Sequence, residues 1–399
     1  MFIQGSLPSW MLALATTASL AYAGSKHHQG PNPSSKPQCS PVSFKLSATA
    51  ENLLFSPSIN PDNETEVLQF MDIILTPGAN FIVGTQTVSG NFTLNGIYCS
   101  PSPKAKTRNV LQILVPGATY EKLSWSAWNQ FGDQYDYPLA AAREGYHTLA
   151  IDRLSHGTNP DKPDPLNVVQ PDLQIELLRQ LITTIRTSPL ASNPLGKKFK
   201  KIVWVGHSFG SLLAIRYARL HGTNPAAIYD ALVGTGVSSD LHGEVFAEQP
   251  PGFASRIFPE RFGSLAAGYL TYVSAASREA AFYSGNYDPR IPQYDFEHSD
   301  FVTIGEFGGV GTLLQPAPGY KQPTIIVTGA EDIIFCVRPG VDPKECDKTL
   351  EKTRTDLFPD LAEKKYEYFA PRKTGHDQSL HYAAPEVAKR IHEFLNKHF

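Results

Sequence analysis

The sequence predicts an α/β fold, a doubly wound and mostly parallel sheet interrupted by one long insertion. Three observations carry this. Short apolar runs, Val110–Val115, Leu149–Ile151, Ile202–Val205 and Thr324–Gly329, read as strands buried on both faces. Helix-like stretches separate them, and strands joined through helices lie parallel with helices covering both faces. After the apolar run Ala227–Val233, the next strand begins only at Thr324, far beyond an ordinary connection.

Taken in chain order, residues 1–23 carry no charged side chain. An apolar core from Met11 to Leu20 ends in Ala21-Tyr22-Ala23, the small-x-small pattern of a cleaved signal peptide, so the mature protein is expected to be secreted. The apolar run is too short for a membrane span, and no other segment approaches 18 apolar residues. Residues 24–41, rich in Gly, Ser, Pro, Lys and His, read as a flexible arm in which His27 and His28 are solvated. Phe81–Thr85 and Phe92–Tyr98 read as an antiparallel hairpin turning at Ser89-Gly90-Asn91, at one edge of the sheet. After Pro171, Leu178, Leu181, Ile182 and Ile185 fall on one helical face; a last helix from about Pro385 gathers Val387, Ile391, Phe394 and Leu395. The expected boundaries are a first core part at 42–239, an insertion at 240–322 and a second core part at 323–399.

Composition narrows the function. With 35 basic and 38 acidic residues the net charge is −3, and no block of like charge stands out. Neither nucleic acid nor a charged membrane surface is indicated as a partner. The 41% hydrophobic content of 399 residues suffices for one large core. Asn63-Glu64-Thr65 and Asn91-Phe92-Thr93 are glycosylation acceptor patterns, in keeping with secretion. The four cysteines allow three pairings. Cys39–Cys99 would tie the arm to the domain and Cys336–Cys346 would close a short loop, and this pairing is favoured over four buried thiols. No Cys or His spacing resembles a zinc site, so no metal or other cofactor is expected.

The chemistry-bearing motif is Gly206-His207-Ser208-Phe209-Gly210, set between the run Ile202–Val205 and the helix-like Ser211–Ile215. A serine on a sharp strand-to-helix turn is lifted above the sheet, and its flanking positions must lack side chains because strand and helix approach closely there. Two further segments follow at strand ends. Thr324–Gly329 leads into Ala330-Glu331-Asp332, and the alternating Tyr366–Phe369 leads towards Thr374-Gly375-His376-Asp377. The order serine, acid, histidine matches neither chymotrypsin nor subtilisin.

On these three segments the chain resembles the α/β-hydrolase superfamily over roughly residues 80–399. The resemblance implies a sheet of about eight strands, and it makes the insertion at 240–322 a mainly helical cap over the active site. It assigns Ser208 as nucleophile, His376 as base and Asp332 as the acid that orients it, with Glu331 and Asp240 as rival acids and His381 as rival base. It places an oxyanion hole at the N–H groups of Phe209 and Ala118, with Thr119 as the alternative to Ala118. Many relatives carry His-Gly where this chain has Pro116-Gly117, a change that backbone donation tolerates. Asp152–Gly157 is expected to brace the loops over the site. The insertion's aromatics, Phe258, Phe262, Tyr269, Tyr272, Phe282, Tyr283 and Tyr287, are expected to shape an apolar pocket or the insertion's own core. Trp125 and Trp128 are candidates for the pocket's other wall.

The leading expectation is therefore a secreted serine hydrolase that cleaves a carboxylic ester or related acyl bond of a small, fairly apolar substrate. Related machinery could transfer an acyl group, or catalyse a lyase or cyclisation step on a secondary metabolite. An aminopeptidase would want a carboxylate-lined pocket, for which Glu260, Glu279 and Glu297 are available. A binding module with a dead site would lack a triad member, and none is missing. Dehalogenases and epoxide hydrolases of similar fold use an aspartate nucleophile, so Ser208 argues against both.

Overall fold

The computed structural model describes residues 36–102 and 107–399. The expected signal peptide and the arm up to residue 35 lie outside the described residues. Strands β1 (Gln38–Phe55), β2 (Ile82–Ser100), β3 (Val110–Val115), β4 (His147–Ile151), β5 (Lys201–His207) and β6 (Ala231–Thr235) precede the insertion; β7 (Gly252–Phe253), β8 (Tyr269–Thr271) and β9 (Val302–Thr303) belong to it; β10 (Thr324–Val327) and β11 (Tyr366–Phe369) follow. The α-helices before the insertion are α1 (Glu64–Leu75), α2 (Tyr137–Arg143), α3 (Pro171–Thr187) and α4 (Phe209–His221). The insertion contributes the short α5 (Glu244–Glu248), α6 (Ala254–Ile257), α7 (Pro259–Phe262), α8 (Ala275–Phe282), α9 (Ile291–Glu297) and α10 (Ile304–Gly309), and α11 (Glu345–Leu357) and α12 (Ala384–His398) close the chain.

The main sheet has eight strands in the order β1-β2-β4-β3-β5-β6-β10-β11. β1 pairs antiparallel with β2, and β2 with β4; every later pair is parallel. Period-two alternation divides each central strand between two cores. Along β5, Ile202 and Trp204 join the core that holds the apolar faces of α3 and α4, whereas Val203 and Val205 join the one that holds Ala141 of α2 and Val387, Ile391, Phe394 and Leu395 of α12. Burying a side chain of this kind stabilises the fold by about 1.5–3 kcal/mol. These two cores are why the central strands read as unbroken apolar runs.

Two expectations change at the antiparallel edge. The anticipated hairpin is a single 19-residue strand, β2, and Ser89-Gly90-Asn91 runs straight through it opposite Ala48 and its neighbours. Gly90 serves packing here, not a turn. A Cβ at Gly90 would lie 2.6 Å from the Phe92 ring, so its absence leaves room for that ring on the same face. The partner of β2 is β1, to which the sequence reading assigned no element. In β1 buried Phe44, Leu46 and Ala48 alternate with exposed Lys45, Ser47 and Thr49. The expected arm therefore ends sooner than residue 41, because Gln38–Pro41 already pair with Ile97–Ser100.

Both favoured disulfides are present. Cys39 and Cys99 sit directly opposite in the β1–β2 register, and Cys336 joins Cys346 ten residues on. Asn63 and Asn91 are both exposed. Asn63 is also the N-cap of α1: its side-chain oxygen accepts from the N–H groups of Thr65 (3.0 Å) and Glu66 (3.3 Å), and its Nδ2 donates to Glu66 Oε1 at 2.8 Å. A capping asparagine followed three residues later by Glu is a helix-start signal that the acceptor pattern overlaps.

The insertion between β6 and β10 combines its short helices with a three-stranded antiparallel sheet, β7-β8-β9. It is fastened to the first core part by Gly305 N–H to Pro165 O (2.9 Å) and Thr303 Oγ1–H to Val169 O (2.9 Å). The buried Glu306 carboxylate meets Arg153, His156 and Gln174. Burial alone would raise the Glu306 carboxyl, but the Arg153 guanidinium and His156 hold it well below the usual carboxylate range.

Candidate active site

β5 ends at His207 and α4 begins at Phe209, so one residue makes the whole strand-to-helix join. That residue, Ser208, has φ 49° and ψ −118°. A left-handed conformation of this kind is strained for a residue with a Cβ, by about 1–3 kcal/mol, and persists only where the surroundings dictate it. Here they do. Ser208 N–H is bonded to Thr235 O at 2.8 Å. A Cβ on Gly206 would sit 2.6 Å from the Gly210 carbonyl group and Ser211 N, and one on Gly210 would sit 2.1 Å from Val115 O. The two glycines let α4 press against β5 and β3, and Ser208 is left partly exposed at the tip.

His376 is buried on the loop after β11, its ring packed beside that of His207, the residue before Ser208. Its Nδ1 is 2.8 Å from Asp332 Oδ2. Asp332 is itself fixed, its Oδ1 accepting from Ile334 N–H at 2.8 Å and Phe335 N–H at 3.1 Å. A carboxylate at Nδ1 favours the tautomer protonated there, and the buried Nε2 has no hydrogen-bond partner among the described residues. Burial disfavours an imidazolium here, but the Asp332 charge and hydrogen bond outweigh it and hold His376 above its ordinary value.

The rival residues are engaged elsewhere. Glu331 accepts from Ser284 Oγ at 2.6 Å, and Asp240 is exposed beside His242. His381 Nε2 accepts from Gly375 N–H at 3.1 Å, and its Nδ1 bonds to Asp377 O at 2.7 Å, bracing the loop that carries His376.

A second buried imidazole–carboxylate pair, absent from the sequence reading, stands beside the first. His207 Nε2 is 2.6 Å from Asp377 Oδ1, and the His207 and His376 rings lie 5.0 Å apart. Thr235 Oγ1, which donates to Gly206 O at 2.9 Å, lies 3.2 Å from His207 Nδ1. Burial would raise the Asp377 carboxyl, but the hydrogen bond and charge of His207 hold it down to about 2. Only the motif position of His207 and the adjacency of Asp377 to His376 could have pointed to this pair. Ligand atoms of His207, His376 and Asp377 lie within 4.8 Å of one another, close enough for a metal ion, but His207 Nε2 and Asp377 Oδ1 are already bonded together.

The loop after β3 passes in front of Ser208. Arg153 bonds to its carbonyls, Nε to Pro116 O (3.1 Å) and Nη2 to Gly117 O (3.1 Å), so Asp152–Gly157 does brace the loops over the site. Thr119 N–H donates to Phe301 O at 3.1 Å. The Ala118 N–H has no such partner among the described residues, and Ala118 and Phe209 line the same cavity as Ser208. That cavity, about 650 Å³ with its open mouth, is walled by Leu212, Leu241, Phe246, Phe307 and Phe335. Of the insertion's expected aromatics, Tyr272 and Phe282 reach it. Phe262 and Tyr269 pack edge-to-face with Phe301 inside the insertion, as part of the insertion's own core. Trp125 and Trp128 do not line this cavity; Trp125 packs on Tyr137 and Trp128 on Tyr294.

Comparison with known proteins agrees with the fold. The family model described as alpha/beta hydrolase family matches residues 112–390. No curated protein matches the sequence. Among solved structures, a soluble variant of monoglyceride lipase from Saccharomyces cerevisiae, in complex with a substrate analogue, superposes with a TM-score of 0.51 at 15% identity, covering 77% of this chain and 92% of that one. An epoxide hydrolase from Vigna radiata gives 0.49 at 14% identity over 77% and 95%. A monoacylglycerol lipase from Paleococcus ferrophilus gives 0.46 at 18% over 74% and 97%.

Gly210→Ala is expected to destabilise the protein by at least about 1–3 kcal/mol, because backbone must move to admit the methyl group. Gly84→Ala, with nothing within 4 Å of the added carbon, should stay within about 0.5 kcal/mol of wild type. Denaturant titration of both variants checks this. In ring-proton NMR, His376 should titrate above an ordinary imidazole, and Asp332→Asn should move it downward, since burial then acts with less opposition.

Proposed function

The chain belongs to the α/β-hydrolase family, and from that premise we propose that it is a serine hydrolase cleaving a carboxylic ester, or a related acyl bond, of a small apolar substrate. One combination carries the reading: Ser208 is strained and partly exposed, and the residue before it, His207, packs against the ring of His376, a buried imidazole bonded through Nδ1 to Asp332 and without a partner at Nε2 among the described residues.

In this mechanism Ser208 Oγ attacks the substrate carbonyl carbon while His376 Nε2 takes the hydroxyl proton. The carbonyl electron pair moves onto oxygen, where the N–H groups of Phe209 and Ala118 receive it. Phe209 heads α4, so the helix N-terminus adds favourable electrostatics. Collapse of the tetrahedral species expels the alcohol, protonated by His376, and leaves an acyl-enzyme. Water, deprotonated by His376, attacks the acyl carbon, and Ser208 regains its proton as the acid departs. Because His376 must be neutral to act and its protonated form is stabilised, activity rises with pH and its midpoint lies above that of an ordinary imidazole.

The apolar cavity wall supports an uncharged acyl group. It does not favour an aminopeptidase, which needs a carboxylate for the substrate amine: Glu260, Glu279 and Glu297 are not among the lining residues, and Glu279 and Glu297 accept from Tyr287 OH and Gln293 instead. The insertion, which contributes much of the wall, is proposed as a cap. Passage through an oxidising secretory route with removal of residues 1–23, and glycan attachment at Asn63 and Asn91, complete the proposal; the two disulfides are compatible with that route.

A fluorophosphonate should label the wild-type protein, and neither Ser208→Ala nor His376→Ala should be labelled at a comparable rate. With p-nitrophenyl esters of graded chain length, both variants should lose about 10⁴-fold or more in kcat. Absence of labelling on folded wild type would overturn the assignment.

A further inference from the structure

The serine-hydrolase reading leaves one buried polar cluster without a role. Arg278 of α8 and Asp295 of α9, both inaccessible to solvent, form a two-pronged ion pair, Nε to Oδ2 at 2.7 Å and Nη2 to Oδ1 at 2.9 Å. Tyr283 OH also donates to Asp295 Oδ2, at 2.7 Å. Tyr120 OH lies between Asp295 Oδ2 (2.9 Å) and Asp377 Oδ2. The third arm of the guanidinium leaves this pair: Arg278 Nη1 donates to Thr119 Oγ1 at 2.7 Å.

Thr119 is where the loop after β3 turns, with φ 60°. A β-branched residue in that region is an outlier that its surroundings must enforce, against about 1–3 kcal/mol. All three of its polar groups are held by the insertion. Its N–H donates to Phe301 O (3.1 Å), its carbonyl accepts from Asp300 N–H (2.8 Å), and its hydroxyl oxygen receives Arg278. On the other side of the same turn Arg153 holds the Pro116 and Gly117 carbonyls. Ala118, whose N–H is the proposed oxyanion donor, is the one residue between the two clamps.

We propose that Arg278 is a positioning residue for the oxyanion loop: anchored by Asp295, it fixes Thr119 in its left-handed conformation and so aims the Ala118 N–H at the developing oxyanion. The insertion would then contribute to transition-state stabilisation as well as to the wall of the pocket. This rests on the serine-hydrolase reading. An N–H that is present but misdirected loses much of what an absent one loses, and removal of one oxyanion donor costs about 10²–10³ in kcat.

Thr119→Val isolates the contact, because it keeps the β-branched shape and leaves the Arg278–Asp295 pair in place. Thr119→Ser restores the acceptor. The full-length wild type is first labelled with a fluorophosphonate, and each variant is then assayed for kcat and KM on p-nitrophenyl butyrate. Inhibition by a trifluoromethyl ketone, which forms an anionic hemiketal on the serine, and melting temperature are measured alongside. Expected for Thr119→Val are a fall in kcat of about 10- to 100-fold, a parallel weakening of the ketone and a KM within about twofold of wild type. Thr119→Ser should recover most of the loss, and adding Arg278→Lys to Thr119→Val should lower kcat little further. Wild-type kcat and ketone inhibition in Thr119→Val would overturn the proposal, as would a loss that Thr119→Ser does not recover or that appears only as a lowered melting temperature. If wild type is not labelled at all, the serine-hydrolase reading fails first and this inference with it.

Discussion

The approach of α4 to β5 and β3 is the constraint on which the site depends. Gly206 and Gly210 face each other across the turn, and Gly210 lies against the Val115 carbonyl with no space for a methyl group. Because the helix is pulled in this far, the chain has a single residue in which to reverse from extended to helical backbone, and Ser208 takes the strain. The same closeness brings Phe209 at the head of α4 and Ala118 of the loop beginning at Pro116 to the lining of one cavity. A looser turn would need no glycines, and it would not lift a hydroxyl.

Around this turn the protein buries charge in compensated groups. Arg153 with Glu306, and Arg278 with Asp295, are completely removed from solvent, and each pair lies with the insertion on at least one side. Such pairs add little net stability, because desolvation offsets most of the attraction, but breaking one is severe. Their value here is registry. Every guanidinium nitrogen of Arg153 and Arg278 has a partner, and several of those partners are backbone carbonyls or the hydroxyl of the loop facing Ser208. An apolar interface of the same area would hold the insertion down without fixing its position to a fraction of an ångström. The His207–Asp377 pair continues the same logic beneath His376, linked through Tyr120 to Asp295.

The cavity is made differently, almost wholly of apolar side chains from α4, the insertion and the loop after Asp332. Polar groups thus hold the loops around Ser208, and apolar side chains line the cavity it borders.

What the sequence determined by itself is what short-range pattern encodes. Apolar runs marked the central parallel strands, because a strand buried on both faces must be apolar at every position. The glycines flanking Ser208 marked the turn, because steric exclusion at a tight join leaves no other residue possible. Order and position along the chain favoured Asp332 over Glu331 and Asp240, and His376 over His381. The tertiary structure joined His376 to Asp332, 44 positions apart. Only the tertiary structure paired β1 with β2, turned the supposed hairpin at Gly90 into one strand, set His207 against Asp377 and brought Arg278 to Thr119, 159 residues away. Each of these joins groups whose own neighbourhoods look ordinary, since a polar side chain on a short helix carries no local sign of the partner that packing will give it.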